Sequence, residues 1–289
     1  MTHQQDVDER AAPSGPADRI DLHALASQLA AAYAERRTLS TPPSSRDGLD
    51  LSTAYAVERE LVRMRRSQGH KTVGVKVGYA NKAIWRMLKL ETLVWAHMYD
   101  DTVRYADANS ATLSLSSMIS PKIEPEIVFK MKAPLDASVT DAATALDAVE
   151  WLALGFEIID CPYADWKFQP ADFVAAYGLH AALIVGEPRP VATMGISEIV
   201  EQLATFKVRL SKDGQAVEEG SGRNSLRSPA LCLAELASAM GKQDGAESLA
   251  AGDLVSSGTL TESTPIQPRA TWTASVEGID LPALTLTLV

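Results

Sequence analysis

From Thr72 onward the chain is cut into short apolar segments: Val73–Val77, Lys122–Met131, Trp151–Ile159, Ala181–Gly186, Phe206–Leu210, Val217–Glu219, Asp253–Ser257, Thr271–Val276 and Leu284–Val289. Runs this short, rich in β-branched residues and bounded by turn residues, are strands rather than helices. Lys212-Asp213-Gly214-Gln215 reads as a tight hairpin, and Glu277-Gly278-Ile279-Asp280 as another. Only a few helices intervene. Asn81–Lys89 is one, and Ala142–Glu150, behind Asp141, is a second. The third is Pro229–Met240, with Ser228 as N-cap, Pro229 at the first helical position and Gly241 past its end. Regular strand–helix alternation is missing, which excludes a doubly wound α/β fold. The pattern predicts an α+β fold, a mixed rolled β-sheet with flanking helices. Gly74-Val75-Lys76-Val77-Gly78 is not a dinucleotide fingerprint and no phosphate loop is present, so nucleotide binding is not expected.

Ahead of the strands lies a helical stretch. Leu22, Leu25, Leu29 and Tyr33 recur at helical spacing behind Asp21, and the Pro- and Ser-rich stretch 41–48 is a connector. A second helix carries Ala54, Val57, Leu61 and Met64 on one face, with Ser52 as its cap and Arg65, Arg66 and Gly69 at its end. The expected organisation is a disordered tail over 1–18, a small helical N-terminal subdomain over 19–72 and a mixed β-roll domain over 73–289.

Charge narrows the function. Lys and Arg number 27 against 37 Asp and Glu, a net charge of −10, which argues against nucleic acid and against an anionic membrane surface as partner. No apolar run has membrane-spanning length, and the start lacks the order of a secretory signal. Cys161 and Cys232 are too few for a disulfide framework or a four-cysteine zinc site, so a reducing cytoplasm is the expected compartment and both read as small buried hydrophobes. An anionic small molecule remains a candidate substrate only where a local cation overcomes the field of the whole chain.

The most informative segment is Pro121-Lys122-Ile123-Glu124-Pro125-Glu126-Ile127-Val128-Phe129. Residues two apart on a strand share a face, so Glu124 and Glu126 point the same way. Glu157 interrupts the apolar run Trp151–Ile159, and a carboxylate in a buried strand is costly unless paired or metal-bound. Two readings stay open on these residues alone. In one, Glu124 and Glu126 face solvent and Glu157 pairs with a lysine. In the other, three converging carboxylates hold Mg²⁺ or Mn²⁺ with positions open to substrate.

These segments also carry a resemblance. Val73–Gly78, the Glu124-Pro125-Glu126 strand, Phe156-Glu157-Ile158-Ile159-Asp160, Asp165-Trp166-Lys167, Gly220-Ser221-Gly222 leading to Ser228-Pro229, and Ala251–Thr259 occur in order. Together they resemble the fumarylacetoacetate hydrolase superfamily, in its 2-keto-4-pentenoate hydratase and 4-oxalocrotonate decarboxylase branch. The resemblance implies a catalytic β-roll and a homo-oligomer. It implies Mg²⁺ (or Mn²⁺) on Glu124, Glu126 and Glu157, with Lys76 as the catalytic lysine beside it. Gly258 and Thr259 match the family's substrate-pocket residues, His180 falls where the family lines its site, and Gly78, Tyr79 and Lys167 complete the candidate substrate-binding set. The implied chemistry is hydration of a 2-hydroxy-2,4-dienoate to a 4-hydroxy-2-oxo acid. Alternatives are decarboxylation of a 2-oxo-3-enedioate, C–C hydrolysis of an acylpyruvate, or a non-catalytic assembly subunit.

Residue by residue, Lys76 between two valines is expected to be buried with a lowered pKa. Asp160 orients a ligand or caps a turn. Arg223 and Arg227 offer a fork to a second substrate carboxylate or face water. Two stretches depart from the branch: Val174–His180, where an Asp-Asn-Ala-Ser-like run is usual, and Leu93–Ala96, where a Pro-x-x-Gly turn is usual. Both departures fall where substrate is shaped.

Overall fold

The computed structural model describes residues 20–289; the tail expected over 1–18 lies outside them. In chain order the helices are α1 (Leu22–Ala34), α2 (Pro43–Asp47), α3 (Leu51–Ser67), α4 (Lys82–Leu88), α5 (Ala142–Asp147), α6 (Pro170–Ala175), α7 (Ile196–Thr205) and α8 (Pro229–Gly241). The strands are β1 (Thr72–Gly78), β2 (Val94–Tyr99), β3 (Val103–Tyr105), β4 (Ser110–Leu113), β5 (Pro121–Met131), β6 (Val149–Asp160) and β7 (His180–Val185). They continue with β8 (Arg189–Pro190), β9 (Lys207–Lys212), β10 (Gln215–Ser221), β11 (Leu254–Ser256), β12 (Thr264–Pro265), β13 (Thr271–Glu277) and β14 (Leu284–Leu288).

Two mixed sheets result, flanked by helices as expected of an α+β roll. The larger runs β2-β1-β11-β5-β6-β7-β3, with β12 added to β5 and β8 to β6. The smaller runs β10-β9-β13-β14-β4. Phe156 and Ile158 of β6 pack against Trp272, Leu284 and Leu286 of the smaller sheet. Alternate residues of β6 point the other way, so Glu157 turns from that apolar interface toward Lys76 of β1. Helices α1, α3 and α6 share a single core with β1 and β2 through Leu29, Leu61, Phe173, Val75 and Trp95. No helix among the described residues is long and apolar enough to cross a membrane.

Local chemistry explains where sequence and structure differ. The cap of α3 is Asp50, not Ser52: its side chain accepts from Thr53 N–H. Asp141 caps α5 as expected, but that helix stops at Asp147 because Val149 already pairs with Met131 in β6. Ser228 precedes α8 without making a side-chain cap, and Gly241 is the last residue of that helix. Leu93–Ala96, expected as a loop, leads into β2, all six residues of which are buried. The connector 41–48 contains the short α2, and α6 and α7 were not anticipated, although Ile196, Ile199, Val200 and Leu203 follow helical spacing. Asp213 and Gly214 both have positive φ, the backbone required for the two-residue hairpin between β9 and β10. Cys161 and Cys232 are free and buried.

Candidate active site

Strands β5 and β6 set the centre. Glu124 and Glu126 share a face of β5, and register places Glu157 of β6 directly opposite Glu124. One carboxylate oxygen from each residue lies within 4.8 Å of the other two. Gly155 stands opposite Glu126, where a Cβ would come within 2.5 Å of Val128. The same face continues into an apolar cluster of Val128, Ala153, Leu183 and Met98, so these carboxylates sit at the border of the core.

Lys76 reaches this centre from β1. Its register partner on the intervening strand β11 is Ser256, small enough for the lysine to extend past it. The Nζ ends 2.9 Å from Glu157 Oε2, and both side chains are buried. The Phe173 ring lies 5.0 Å from the ammonium. Gly178 packs on the aliphatic stem: at its φ of +59° a Cβ would come within 2.9 Å of Lys76 Cδ and 2.8 Å of Ala96 Cβ. On the far side of Glu157, His180 Nδ1 lies 2.9 Å from Oε1 and its Nε2 2.9 Å from the Thr102 hydroxyl. Glu126 Oε2 accepts from the Ser256 hydroxyl and from Gly258 N–H at 2.8 Å. Gly258 aims that N–H from a φ of +91°, where a Cβ would crowd Ala80 at 2.7 Å.

Three carboxylates thus meet one ammonium, so full ionisation would leave two negative charges uncompensated. Burial pushes the Glu126 carboxyl well above its usual range, with Glu157 and Glu124 adding to the rise. Burial lifts Glu124 to about 7 against the pull of Lys76. Burial acts in the same sense on Glu157, but Lys76 and His180 together hold that carboxyl below the ordinary value. The expected lowering of the Lys76 pKa is corrected here. Burial does pull it down, but the charges of Glu157, Glu124 and Glu126 outweigh burial and raise it, so the group is an ammonium. Glu126 Oε1 is buried without a hydrogen-bond partner. An oxygen-only set that would carry two surplus negative charges when ionised, with an orphaned oxygen, fits a hard divalent cation.

Glu124 opens this centre onto a cavity of about 530 Å³. Lys76, Gly78, Tyr79, Glu124, Gly258 and Thr259 all line it, so most of the sequence-derived residues converge. Four do not line it: Glu126 and Glu157 are fully buried, and Lys167 and His180 lie elsewhere. Lys167 is exposed and pairs with Asp165 at 3.2 Å. His180 instead lines a second cavity, together with Tyr33, Tyr99 and Tyr177, and touches the site only through Glu157. Asp160 takes the turn-capping role, accepting from Ile119 and Ser120 N–H. Arg223 and Arg227 are exposed and outside the cavity wall. Sequence reading did not single out the apolar wall of Ile84, Phe168 and Leu179, nor the polar Asn81, Asn224 and Glu262. These residues come from loops and helix ends, where periodicity carries no signal. Ser256 was also passed over, although a polar residue within an apolar strand is a signal that could have found it.

Over residues 71–288 the chain matches the sequence family described as fumarylacetoacetate (FAA) hydrolase, C-terminal. It is 26% identical over 264 residues to a 2-hydroxyhexa-2,4-dienoate hydratase of Comamonas testosteroni, covering 91% of this chain and 96% of that protein. It is 28% identical over 232 residues to a 4-oxalocrotonate decarboxylase of a Pseudomonas species (strain CF600), covering 80% of this chain and 83% of the relative. Among solved structures it is similar to 4-oxalocrotonate decarboxylase from Pseudomonas putida G7, complexed with magnesium and adipate. That match has a TM-score of 0.82 and 25% identity, and it covers 93% of this chain and 97% of the other.

Proposed function

The chain belongs to the fumarylacetoacetate hydrolase family of enzymes, and from that premise we propose that it is a divalent-metal-dependent lyase. In this reading it adds water to a 2-hydroxy-2,4-dienoate and forms a 4-hydroxy-2-oxo acid. The observation that carries the reading is the convergence of the Glu124, Glu126 and Glu157 carboxylates on one point beside a single ammonium, Lys76, with Glu124 and Lys76 facing the cavity. Relatives named as a dienoate hydratase and as a decarboxylase of a conjugated oxo acid support the same substrate class.

Glu124, Glu126 and Glu157 would hold Mg²⁺ or Mn²⁺, which when bound supplies Lewis acidity for the substrate carboxylate and 2-oxygen and offsets charge developing on that oxygen. The protein's own groups do the rest. Lys76 holds a proton at Nζ beside the carboxylates, poised to give or take it as the dienol interconverts with its oxo form. Gly258 and Ser256 fix the Glu126 carboxylate, and His180 fixes Glu157. Tyr79, held edge-on to Phe173 at 5.3 Å, and Thr259 line the space for the carbon chain. Ile84, Phe168 and Leu179 exclude water from one wall, while Asn81 and Asn224 offer polar contacts to the incoming water.

Decarboxylation is the second reading, because the same enolate chemistry serves it. Hydration is favoured because, among the described residues, Lys76 is the one cation lining the cavity and it already faces carboxylates, leaving none for a second acid group. The test is a panel of 2-hydroxydienoates, 2-oxo-enedioates and acylpyruvates with Mg²⁺, read by absorbance and product mass. Gain of water supports the reading. Loss of CO₂ from the enedioate with no water gained by the dienoate replaces it with the decarboxylase, and chain cleavage replaces it with the hydrolase.

A further inference from the structure

Among the residues lining the cavity, Glu262 is the charged group that the chemistry above does not use. It sits in the 257–263 segment that links β11 to β12. The pairing of Thr264 with Ile123 brings this segment back beside Glu124. The hydroxyls of Thr261 and Thr264 donate to the Glu262 carbonyl oxygen, and the Thr259 hydroxyl donates to the Thr261 carbonyl, so the segment is tied to itself. The Glu262 side chain has no ion-pair partner among the described residues, is exposed, and is close enough for its charge to bear on Glu124. Lys122, whose charge also bears on Glu124, is held 3.9 Å from the Trp166 ring centroid and does not line the cavity.

An acid anchored by one carboxylate at the three glutamates extends its chain along this wall. If the chain ends in a second carboxylate, that group meets the negative Glu262, while the one cation among the described lining residues, Lys76, already faces Glu157. We propose that Glu262 is a specificity-determining residue: it rejects acids with a second carboxylate and restricts the cavity to monocarboxylates. Rejection by a like charge is the repulsive half of specificity, and an exposed carboxylate at the wall supplies it without contacting the reacting atoms. The inference rests on the reading of this cavity as the substrate site.

The test compares two saturated acids of equal length, hexanoate and adipate, binding to Mg²⁺-loaded protein by calorimetry. The proteins are the wild type, Glu262→Gln and Glu262→Lys. Glu262 is exposed, so both variants should fold, which circular dichroism checks. Hexanoate affinity should stay within about twofold throughout. Adipate should bind about threefold more tightly in Glu262→Gln and about tenfold or more in Glu262→Lys, less so at high salt. An adipate-to-hexanoate ratio that does not move in Glu262→Lys overturns the proposal, as does failure of all three proteins to bind either acid. Wild-type protein that turns over no dienoate, while the ratio still shifts, would sink the proposed reaction and leave the role of Glu262 standing.

Discussion

Lys76 Nζ lies 2.9 Å from Glu157 Oε2, with both side chains essentially sealed from solvent. Breaking one side of such a buried pair normally destabilises a protein, because a charge is left bare. In the proposed reading a divalent cation would compete with the ammonium for the same carboxylates. Replacing Lys76 with Met should therefore lower kcat by about 10²-fold or more, as expected of a lost proton-handling group. It should also tighten Mg²⁺ binding by about tenfold, because a positive charge leaves the site. Calorimetry of Mg²⁺ binding to Lys76→Met checks the sign, and weaker binding would refute the arrangement.

Gly178 supports that lysine from below. At its positive φ any added Cβ meets the Lys76 stem and Ala96. Gly178→Ala is expected to displace the ammonium and reduce kcat by about tenfold or more, while Mg²⁺ affinity stays within about threefold because no carboxylate is touched. Parallel loss of metal affinity and turnover would mean that the glycine supports the whole centre, contrary to this account.

The roll and its central carboxylates were legible because strands announce themselves by short apolar runs, and because a lone Glu157 in such a run has few inexpensive explanations. Strand β2 was not legible in advance. Its residues Val94–Tyr99 are buried throughout and show no alternation, so comparison with a familiar loop pattern overrode the local signal. The direction of the Lys76 shift was misjudged for a related reason. Sequence shows the two valines that bury the lysine, but not the carboxylates that β5 and β6 bring to it. The Val174–His180 stretch looked like a change in the substrate wall. In space Gly178 buttresses Lys76 and His180 braces Glu157, and Leu179 alone of the three lines the cavity.

The placements of His180 and Lys167 give opposite expectations. His180→Leu removes the partner of Glu157 Oε1, so Mg²⁺ affinity should fall by about 10- to 100-fold, as for groups that orient a metal ligand. Substrate KM at saturating Mg²⁺ should change little, since the imidazole lies outside the substrate cavity. Lys167→Ala removes an exposed side chain paired with an exposed aspartate and should leave kcat and KM within about twofold. Steady-state kinetics across a Mg²⁺ titration separates the two cases. A KM defect in Lys167→Ala would place that lysine at the substrate after all.

Stability without metal should depend on pH in an unusual sense. Most carboxylates in folded proteins have depressed pKa values and lose stabilisation as pH falls. Glu124, lifted to about 7, and Glu126, raised well above the usual range, act in reverse. Each favours its protonated form in the fold, so its contribution is full below the unfolded-state value and is lost as pH rises through the folded one. His97, where burial opposes but Glu58 prevails to raise the pKa, adds a loss of the same sign as pH rises above the ordinary histidine value. Glu157, held low, matters only in acid, below the unfolded-state value. In chelator, Tm should therefore fall between about pH 6 and 8. Saturating Mg²⁺ should remove most of that slope, because the cation binds the ionised carboxylates. The residual slope should vanish in His97→Gln. Mg²⁺ affinity should rise over the same interval as protons leave the ligands. A metal-free Tm that climbs from pH 6 to 8, measured by calorimetric unfolding, would show that the carboxylates are not held protonated in the empty centre.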